Sequence, residues 1–408
     1  MSSKEYDCRS APVLNIQCNW DDLIRNKNCE IWVSCKFRGE NSFNGKIISG
    51  GSKDSVSSSE GFSAKWVSDA RGISVLHLKS NCRTLFVAPG SQFTGIHKKS
   101  IVSLHTTPGG LAVSACTNNQ LNVWDTKTGV VCRSFSDHPC DVYQCRFFPS
   151  GVVVISGGAD MQLKIWSAET GQCPVTLRGH TGSIMDVAIV DRGRNVVSVS
   201  KDGTARLWDC GKSACLGILI ELPSVINCCA ITSVSNKVPL GEPNESPSDR
   251  EIGTEDKVLI VGCEDGVLAS IAVRSRNTLS KKALLSAINC LAPVNEETVA
   301  VGCQDGQVFL FNPANLDKPI CAWYESNSAA LSLLCHSDGI FVGRSDGTCT
   351  YLPFKDSNES PKRLLLTGPE YDPIYDISSD GHAIYTACRD GSVRKYSVTK
   401  PLQVLNNE

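Results

Sequence analysis

Three tryptophans, Trp124, Trp166 and Trp208, follow one another at an interval of 42 residues. Each closes a similar phrase: Leu121-Asn-Val-Trp-Asp125, Leu163-Lys-Ile-Trp-Ser167 and Ala205-Arg-Leu-Trp-Asp209. A fixed period of this length means that one supersecondary unit is copied along the chain. A single copy cannot bury its own faces, so consecutive copies must stack into a shared core. Between the phrases the chain alternates apolar and polar residues, as in Val152-Val-Val-Ile-Ser156 and Val196-Val-Ser-Val-Ser200. That is strand periodicity, and long helical patterns are absent.

Each copy also carries a tight turn a few residues before the tryptophan position. The series runs Asn118-Asn119, Asp160-Met161, Asp202-Gly203, Asp265-Gly266, Asp305-Gly306, Asp346-Gly347 and Asp390-Gly391. A period of about 40–45 residues ending in apolar-x-apolar-Trp-Asp is the mark of a WD-repeat blade, four strands radiating from a central channel. The expected fold is all-β: a seven-bladed WD-repeat β-propeller over residues 84–408, with a small β-containing extension over residues 1–83. One interval, from Asp202 to Asp265, is longer than the rest. Its surplus is Ser235–Lys257, which holds three prolines and six acidic residues and reads as an exposed insertion in the fourth blade. Closing the ring needs an outermost strand for the last blade, and about Thr84–Ile96 is favoured over the tail Pro401–Leu405. Lys53–Ser63, rich in Ser and Gly, reads as a linker or loop.

The formal net charge is −2, with charged residues at 20%. A nucleic-acid binder would show a basic surplus, so none is expected as partner. The first residues lack the apolar core of a signal peptide, and no apolar run spans a bilayer. The expectation is a soluble chain in the cytoplasm, with the nucleus as second compartment. Cysteine is abundant at 21, yet no Cys-x-x-Cys occurs, and Cys145, Cys290 and Cys335 sit in apolar alternation. They read as small hydrophobes rather than metal ligands or a disulfide framework. No metal and no cofactor is expected. Asn244-Glu-Ser246 and Asn358-Glu-Ser360 are sequons without a secretory context.

The repeated polar residues have a physical purpose. A buried polar group without a partner costs about 1–3 kcal/mol. His180, Ser198, Asp202 and Trp208 fall where a carboxylate, an imidazole, a hydroxyl and an indole N–H can satisfy one another. His138, Ser156, Asp160 and Trp166 form the same set, and His97, Ser114, Asn118 and Trp124 form one with asparagine for the acid. Ser, His and Asp together resemble a hydrolase triad, but recurrence at the same offsets in successive repeats marks a structural device. The later repeats hold Ile271, Phe311, Leu352 and Tyr396 for tryptophan and Val261, Val301, Val342 and Thr386 for serine, so they should rest on apolar packing. No Walker loop, dinucleotide glycine pattern or zinc helix is present. An enzyme is not expected.

Further stretches carry a narrower likeness: Cys145-Arg-Phe-Phe-Pro-Ser-Gly151, Leu163–Glu169, Ile189–Ser198, Asp202–Gly217, Pro247–Glu255 and Cys388-Arg-Asp-Gly391. In these the chain resembles the proteasomal ATPase-associated factor family, most closely over Arg146–Gly217 and over most of the chain from about Leu85 onward. The likeness weakens in the first ninety residues and around Ser270–Glu325. What the resemblance implies is a non-enzymatic assembly chaperone, monomeric before binding. Its partner would be an ATPase subunit of the proteasome regulatory particle, gripped through that subunit's C-terminal domain. It would control assembly of the base and docking to the core particle. The alternative is a WD-repeat scaffold or substrate-recruiting subunit of another complex, such as a ubiquitin ligase.

By register, one end of the propeller should present Asp141, Tyr143, Met185, Lys201, Glu264, Tyr375 and Arg389. Tyr and Met beside charges suit a protein interface.

Overall fold

The computed structural model describes residues 4–6, 12–37, 39–50, 55–67, 71–235, 238–243, 246–354 and 362–407. Antiparallel four-stranded sheets dominate it. The first repeat is Ile101–Thr106, Leu111–Cys116, Leu121–Asp125 and Val131–Phe135, hydrogen-bonded in that order. The same meander recurs in sheets whose innermost strands are Val142–Phe147, Ile184–Val190, Ile226–Ser233, Ile288–Asn295, Ala330–His336 and Ile374–Ser379. These innermost strands contact one another in chain order, and the last contacts the first.

Two local features make each copy fold alike. The second residue of every turn in the series has a left-handed backbone: Asn119, Met161, Gly203, Gly266, Gly306, Gly347 and Gly391 all lie at φ between 58° and 85°. At Gly203 a Cβ would also come within 2.2 Å of the Leu222 carbonyl, so glycine is the one residue that fits there without strain. The innermost strand of each repeat also carries a bulge near its start. It falls between Ile101 and Ser103, Val142 and Gln144, Ile184 and Asp186, Ile226 and Cys228, Ile288 and Cys290, Ala330 and Ser332, and Ile374 and Asp376.

The strand that completes the last sheet is Ser91–Phe93, paired with Val393–Ser397. The tail instead forms the helix Thr399–Asn407, whose Leu402 and Leu405 pack with Leu85, Leu364, Leu366 and Tyr396. Phe93 lies 5.1 Å from the Trp124 ring and against Gly129, where a Cβ would come within 2.7 Å of it.

The amino-terminal region is larger and more firmly attached than a small extension. Val13–Ile16, Glu30–Lys36, Phe43–Ser49 and Val56–Ser58 form a sheet of their own. Phe62–Val67, Gly72–His77 and Cys82–Val87 form a meander that runs parallel into Lys362–Leu366, the outer strand of the sixth repeat, making one seven-stranded sheet. Trp20, Ile31, Val33, Ile47, Phe62, Ile73, Val75 and Phe86 fill the space between them. A division at residues 83 and 84 therefore cuts a strand. Lys53–Ser63 is likewise no simple linker: Lys53 and Asp54 lie outside the described residues, while Val56–Ser58 and Phe62 are in strands. Lys4–Tyr6 adds a parallel strand to Cys321–Trp323.

The insertion at 235–257 is only partly exposed. Residues 236, 237, 244 and 245, including the asparagine of the first sequon, lie outside the described residues, as does the second sequon. Glu251 and Thr254 are buried. Glu251 pairs with Arg276 at 2.5 Å, and Arg250 pairs with the buried Asp209. Composition alone could not show these partners, one in the third repeat and one in a later connection of the fourth.

The twenty described cysteines are unpaired, and twelve of them, Cys145 and Cys290 included, are buried. Among the described residues no helix is long and apolar enough to cross a membrane. Phe93→Ala should lower stability by about 3 kcal/mol through the cavity it leaves at the ring closure. The urea midpoint measures this, and an unchanged midpoint would show that Ser91–Phe93 does not hold the last sheet.

Candidate protein-binding face

The second and third repeats assemble their polar sets with the same geometry. His138 Nδ1 lies 2.8 Å from Asp160, its Nε2 lies 2.7 Å from Ser156 Oγ, and Trp166 Nε1 donates to that hydroxyl at 2.7 Å. In the third repeat the matching distances are 2.8 Å from His180 to Asp202, 2.7 Å to Ser198, and 2.8 Å from Trp208 to Ser198. A neutral imidazole with its proton on Nδ1 satisfies every member: carboxylate accepts, hydroxyl donates to Nε2, indole donates to hydroxyl. Burial pushes the Asp160 and Asp202 carboxyls up, but the imidazoles and turn amides outweigh it and both stay below the usual carboxylate range. Burial lowers His180 in spite of Asp202.

The first repeat departs from this. His97 Nε2 meets Ser114 at 2.7 Å and Trp124 Nε1 donates to Ser114 at 3.0 Å. Asn118 is exposed and does not reach the ring, and the buried Nδ1 of His97 has no partner among the described residues. An amide offers the turn less than a carboxylate, so residue 118 stays in solvent.

The fourth and fifth repeats rest on apolar packing as expected, around Val261, Ile271, Val301 and Phe311. The sixth and seventh do not rest on it alone. Arg344, 1% exposed, donates to the carbonyls of Gly306 and Ser328 at 2.9 and 3.1 Å and lies 3.9 Å from Glu325. Arg394 reaches the turn acid Asp390 at 2.5 Å. Guanidinium takes the place of imidazole there, a substitution that a search for histidine misses.

Around the axis, in a cavity of about 380 Å³, the structure clusters acids that sequence reading did not bring together. Asp376 accepts the Leu104 N–H at 2.8 Å and the Ile377 N–H at 2.9 Å. Asp186 accepts from Val187 N–H at 2.8 Å, Cys229 N–H at 3.0 Å and Gln144 at 2.8 Å, and pairs with Arg146 at 3.2 Å. Both carboxylates are thus committed to backbone of neighbouring sheets. Burial raises Asp376 to about 6. Among the described residues no group of three or more His, Cys, Asp or Glu is placed to hold a metal ion.

The seven candidate contact residues all lie at one end of the ring, where each outermost strand hands over to the next innermost one and where the Asp-Gly turns fall. Tyr143, Met185 and Tyr375 are the bulge residues of their strands and are half-buried, with Met185 and Tyr375 lining the axial cavity. Lys201, Glu264 and Arg389 precede turn acids and are exposed, and Asp141 is half-buried. Lys201 Nζ sits 5.9 Å from the centre of the Tyr143 ring, and Arg389 pairs with Asp372 at 2.9 Å. Asn227 donates to Glu264 at 2.6 Å. Sequence reading missed the exposed Leu285, Met161 and Tyr371 at the same end; their signal is an apolar residue inside or just before a polar turn.

These sheets and polar sets define a WD-repeat β-propeller, the class built to present a rigid face to other proteins. The family model described as WD domain, G-beta repeat matches residues 129–167 and 171–209. Proteasomal ATPase-associated factor 1 of Homo sapiens is 41% identical over 394 residues, covering 95% of this chain and 99% of that protein. The Gallus gallus protein of the same name is 41% identical over 393 residues, with the same shares covered. The Bos taurus protein is 40% identical over 394 residues, again 95% of this chain and 99% of its own length. The chain belongs to the proteasomal ATPase-associated factor 1 family.

Asn118→Asp should let a carboxylate take the free His97 N–H and raise stability by about 1 kcal/mol, read from urea denaturation. No gain would mean the turn keeps residue 118 out of reach. A second expectation concerns acid. Burial holds His97 and His105 down to about 4, whereas an unfolded histidine titrates near 6.5. The unfolded chain binds protons first as pH falls, so this contribution is complete above about pH 6.5 and is lost toward about pH 4. Urea midpoints should fall across that window, less steeply in His97→Gln; an unaltered slope would contradict the neutral assignment.

Proposed function

We propose that the chain is a non-catalytic binding factor that captures an ATPase subunit of the proteasome regulatory particle. It holds that subunit by its C-terminal domain, acts as a monomer until then, and controls assembly of the base and its docking to the core particle. Two things support this reading: the name borne by the relatives, and the make-up of one end face. At that end Tyr143, Met185 and Tyr375 surround the channel mouth, giving aromatic and thioether surface of the kind enriched in interface cores. Around them the exposed acids Asp137, Glu221, Glu264, Asp265, Glu370 and Asp390 narrowly outnumber the exposed bases Lys98, Lys99, Arg178, Lys201 and Arg389. Two of those bases are already engaged, Lys201 over Tyr143 and Arg389 with Asp372. A partner with a basic surface would be drawn to such a face and oriented by it.

The committed carboxylates of the channel favour a structural part for Asp186 and Asp376, and so a protein that binds rather than converts. Reversing charge at Asp141→Lys together with Glu264→Lys should weaken capture of a recombinant ATPase C-terminal domain about tenfold or more. Equal capture by wild type and the double variant would remove this face from consideration.

A further inference from the structure

At the edge of the candidate face, the amino-terminal module, the sixth repeat and the connection leading to the seventh line a cavity of about 120 Å³. Ile16, Trp32 and Phe86 line it from the module, and Asp346, Glu370 and Tyr371 from the propeller. Asp346 sits in the turn between Gly339–Arg344 and Cys349–Pro353, and Glu370 and Tyr371 in the connection that leads to Ile374–Ser379. Both segments belong to the same end as Tyr375 and Arg389.

Three observations describe what such a cavity would accept. Trp32 is 45% exposed and Tyr371 76% exposed, so two aromatic rings are left open at its lip. Tyr371 is also held at φ 59°, a left-handed conformation that is uncommon and costly for a bulky residue. Glu370 is exposed and has no cationic partner among the described residues. Cys18 shares the cavity wall with it, and burial together with the charge of Glu370 raises that thiol's pKa. Asp346, in contrast, is occupied by Ser328 at 2.7 Å and Thr348 at 2.6 Å. The site thus combines open aromatic rings, apolar flooring from Ile16 and Phe86, and one uncompensated negative charge.

We propose that this cavity receives a single lysine or arginine side chain of the protein docked on the candidate face, its stem on the apolar floor and its charge beside Glu370 among the Trp32 and Tyr371 rings. The inference rests on the reading above that this end docks a protein. An aromatic ring attracts a cation through its quadrupole, and long cationic side chains bury their methylene stems while keeping the head polar. The volume suits one side chain rather than a folded segment. The amino-terminal module thereby becomes a second wall of the interface, continuous with an acid-rich face that already favours a basic partner.

The test uses the full chain and the variants Trp32→Ala and Glu370→Gln, with Asp141→Lys/Glu264→Lys as comparison. Calorimetric titration against recombinant C-terminal domains of the proteasome ATPases should show each single variant binding three- to tenfold more weakly, about what a cation held by an aromatic ring contributes. Weakening by Trp32→Ala with no effect of Glu370→Gln would mean an apolar occupant and overturn the proposal. A dimer of the full chain that Trp32→Ala abolishes would assign the cavity to a second copy and overturn it too. If Asp141→Lys/Glu264→Lys abolishes binding while both single variants match wild type, the docking face stands and this inference falls. If no ATPase domain binds wild type, the docking reading fails, and the cavity is decided by titration with Nα-acetyl-arginine methylamide, following the Trp32 indole N–H by nuclear magnetic resonance. A saturable shift lost in Glu370→Gln supports the site; no shift refutes it.

Discussion

Around the axis, polar side chains carry the contact from one innermost strand to the next at every junction but that between the sixth and seventh repeats. Asp376 takes the Leu104 N–H, Ser103 the Cys145 N–H at 3.1 Å, and Asp186 the Cys229 N–H. Gln144 reaches Asp186, Asn227 the Ile288 carbonyl at 3.1 Å, and Asn289 the Ala330 carbonyl at 3.1 Å. The bulge in each innermost strand is what frees these side chains from the flat alternation of a regular strand. A repeat unit has no stability of its own, so the angle at which sheets meet must be set by contacts between them. Apolar packing is tolerant of small rotations; a hydrogen bond to a fixed backbone group is not. The polar belt therefore fixes the geometry, and the apolar clusters between sheets supply most of the burial.

The junction between the sixth and seventh repeats is the exception. There the matching residue, Ser332, is buried and its hydroxyl has no partner among the described residues. That junction is clamped from outside instead. Cys82–Val87 extends the sixth sheet, the terminal helix lays Leu402 and Leu405 on Leu364, Leu366 and Tyr396, and Trp20 donates to Thr367 at 2.9 Å. The amino-terminal module thus compensates for the weakest link of the axial belt. Its attachment explains why residues 84–87 belong to it rather than to the ring closure.

Sequence and structure agree where one residue type answers one physical need in every copy. The Trp-Ser-His-Asp sets were legible because only those groups complete that chain of donors and acceptors, and the turns because a left-handed residue selects glycine or asparagine. The belt was invisible for the opposite reason: Ser103, Gln144, Asp186, Asn227, Asn289 and Asp376 do the same work with four residue types. The buried Arg344 and Arg394 escaped notice because guanidinium replaced imidazole from another position in the repeat. The parallel pairing of Cys82–Val87 with Lys362–Leu366 joins opposite ends of the chain, and neither strand carries a sign of the other. Glu251 looked solvated because its partner, Arg276, lies two connections further along the same repeat.

The turn acids and the residues before them divide labour in a way that bears on the candidate face. Asp160 and Asp202 are tied to histidines, Asp346 to Ser328 and Thr348, and Asp390 to Arg394. Their charge is consumed in holding each turn. Lys201, Glu264 and Arg389 each stand one position before a turn acid, exposed and engaged only by the surface neighbours Tyr143, Asn227 and Asp372. Folding makes little use of their side chains, since surface substitutions away from buried networks change stability by only about 0.5 kcal/mol. The propeller can therefore alter the charge pattern of this end without disturbing the sets beneath it, and a chain of this fold acquires its choice of partner from residues that its own stability leaves free.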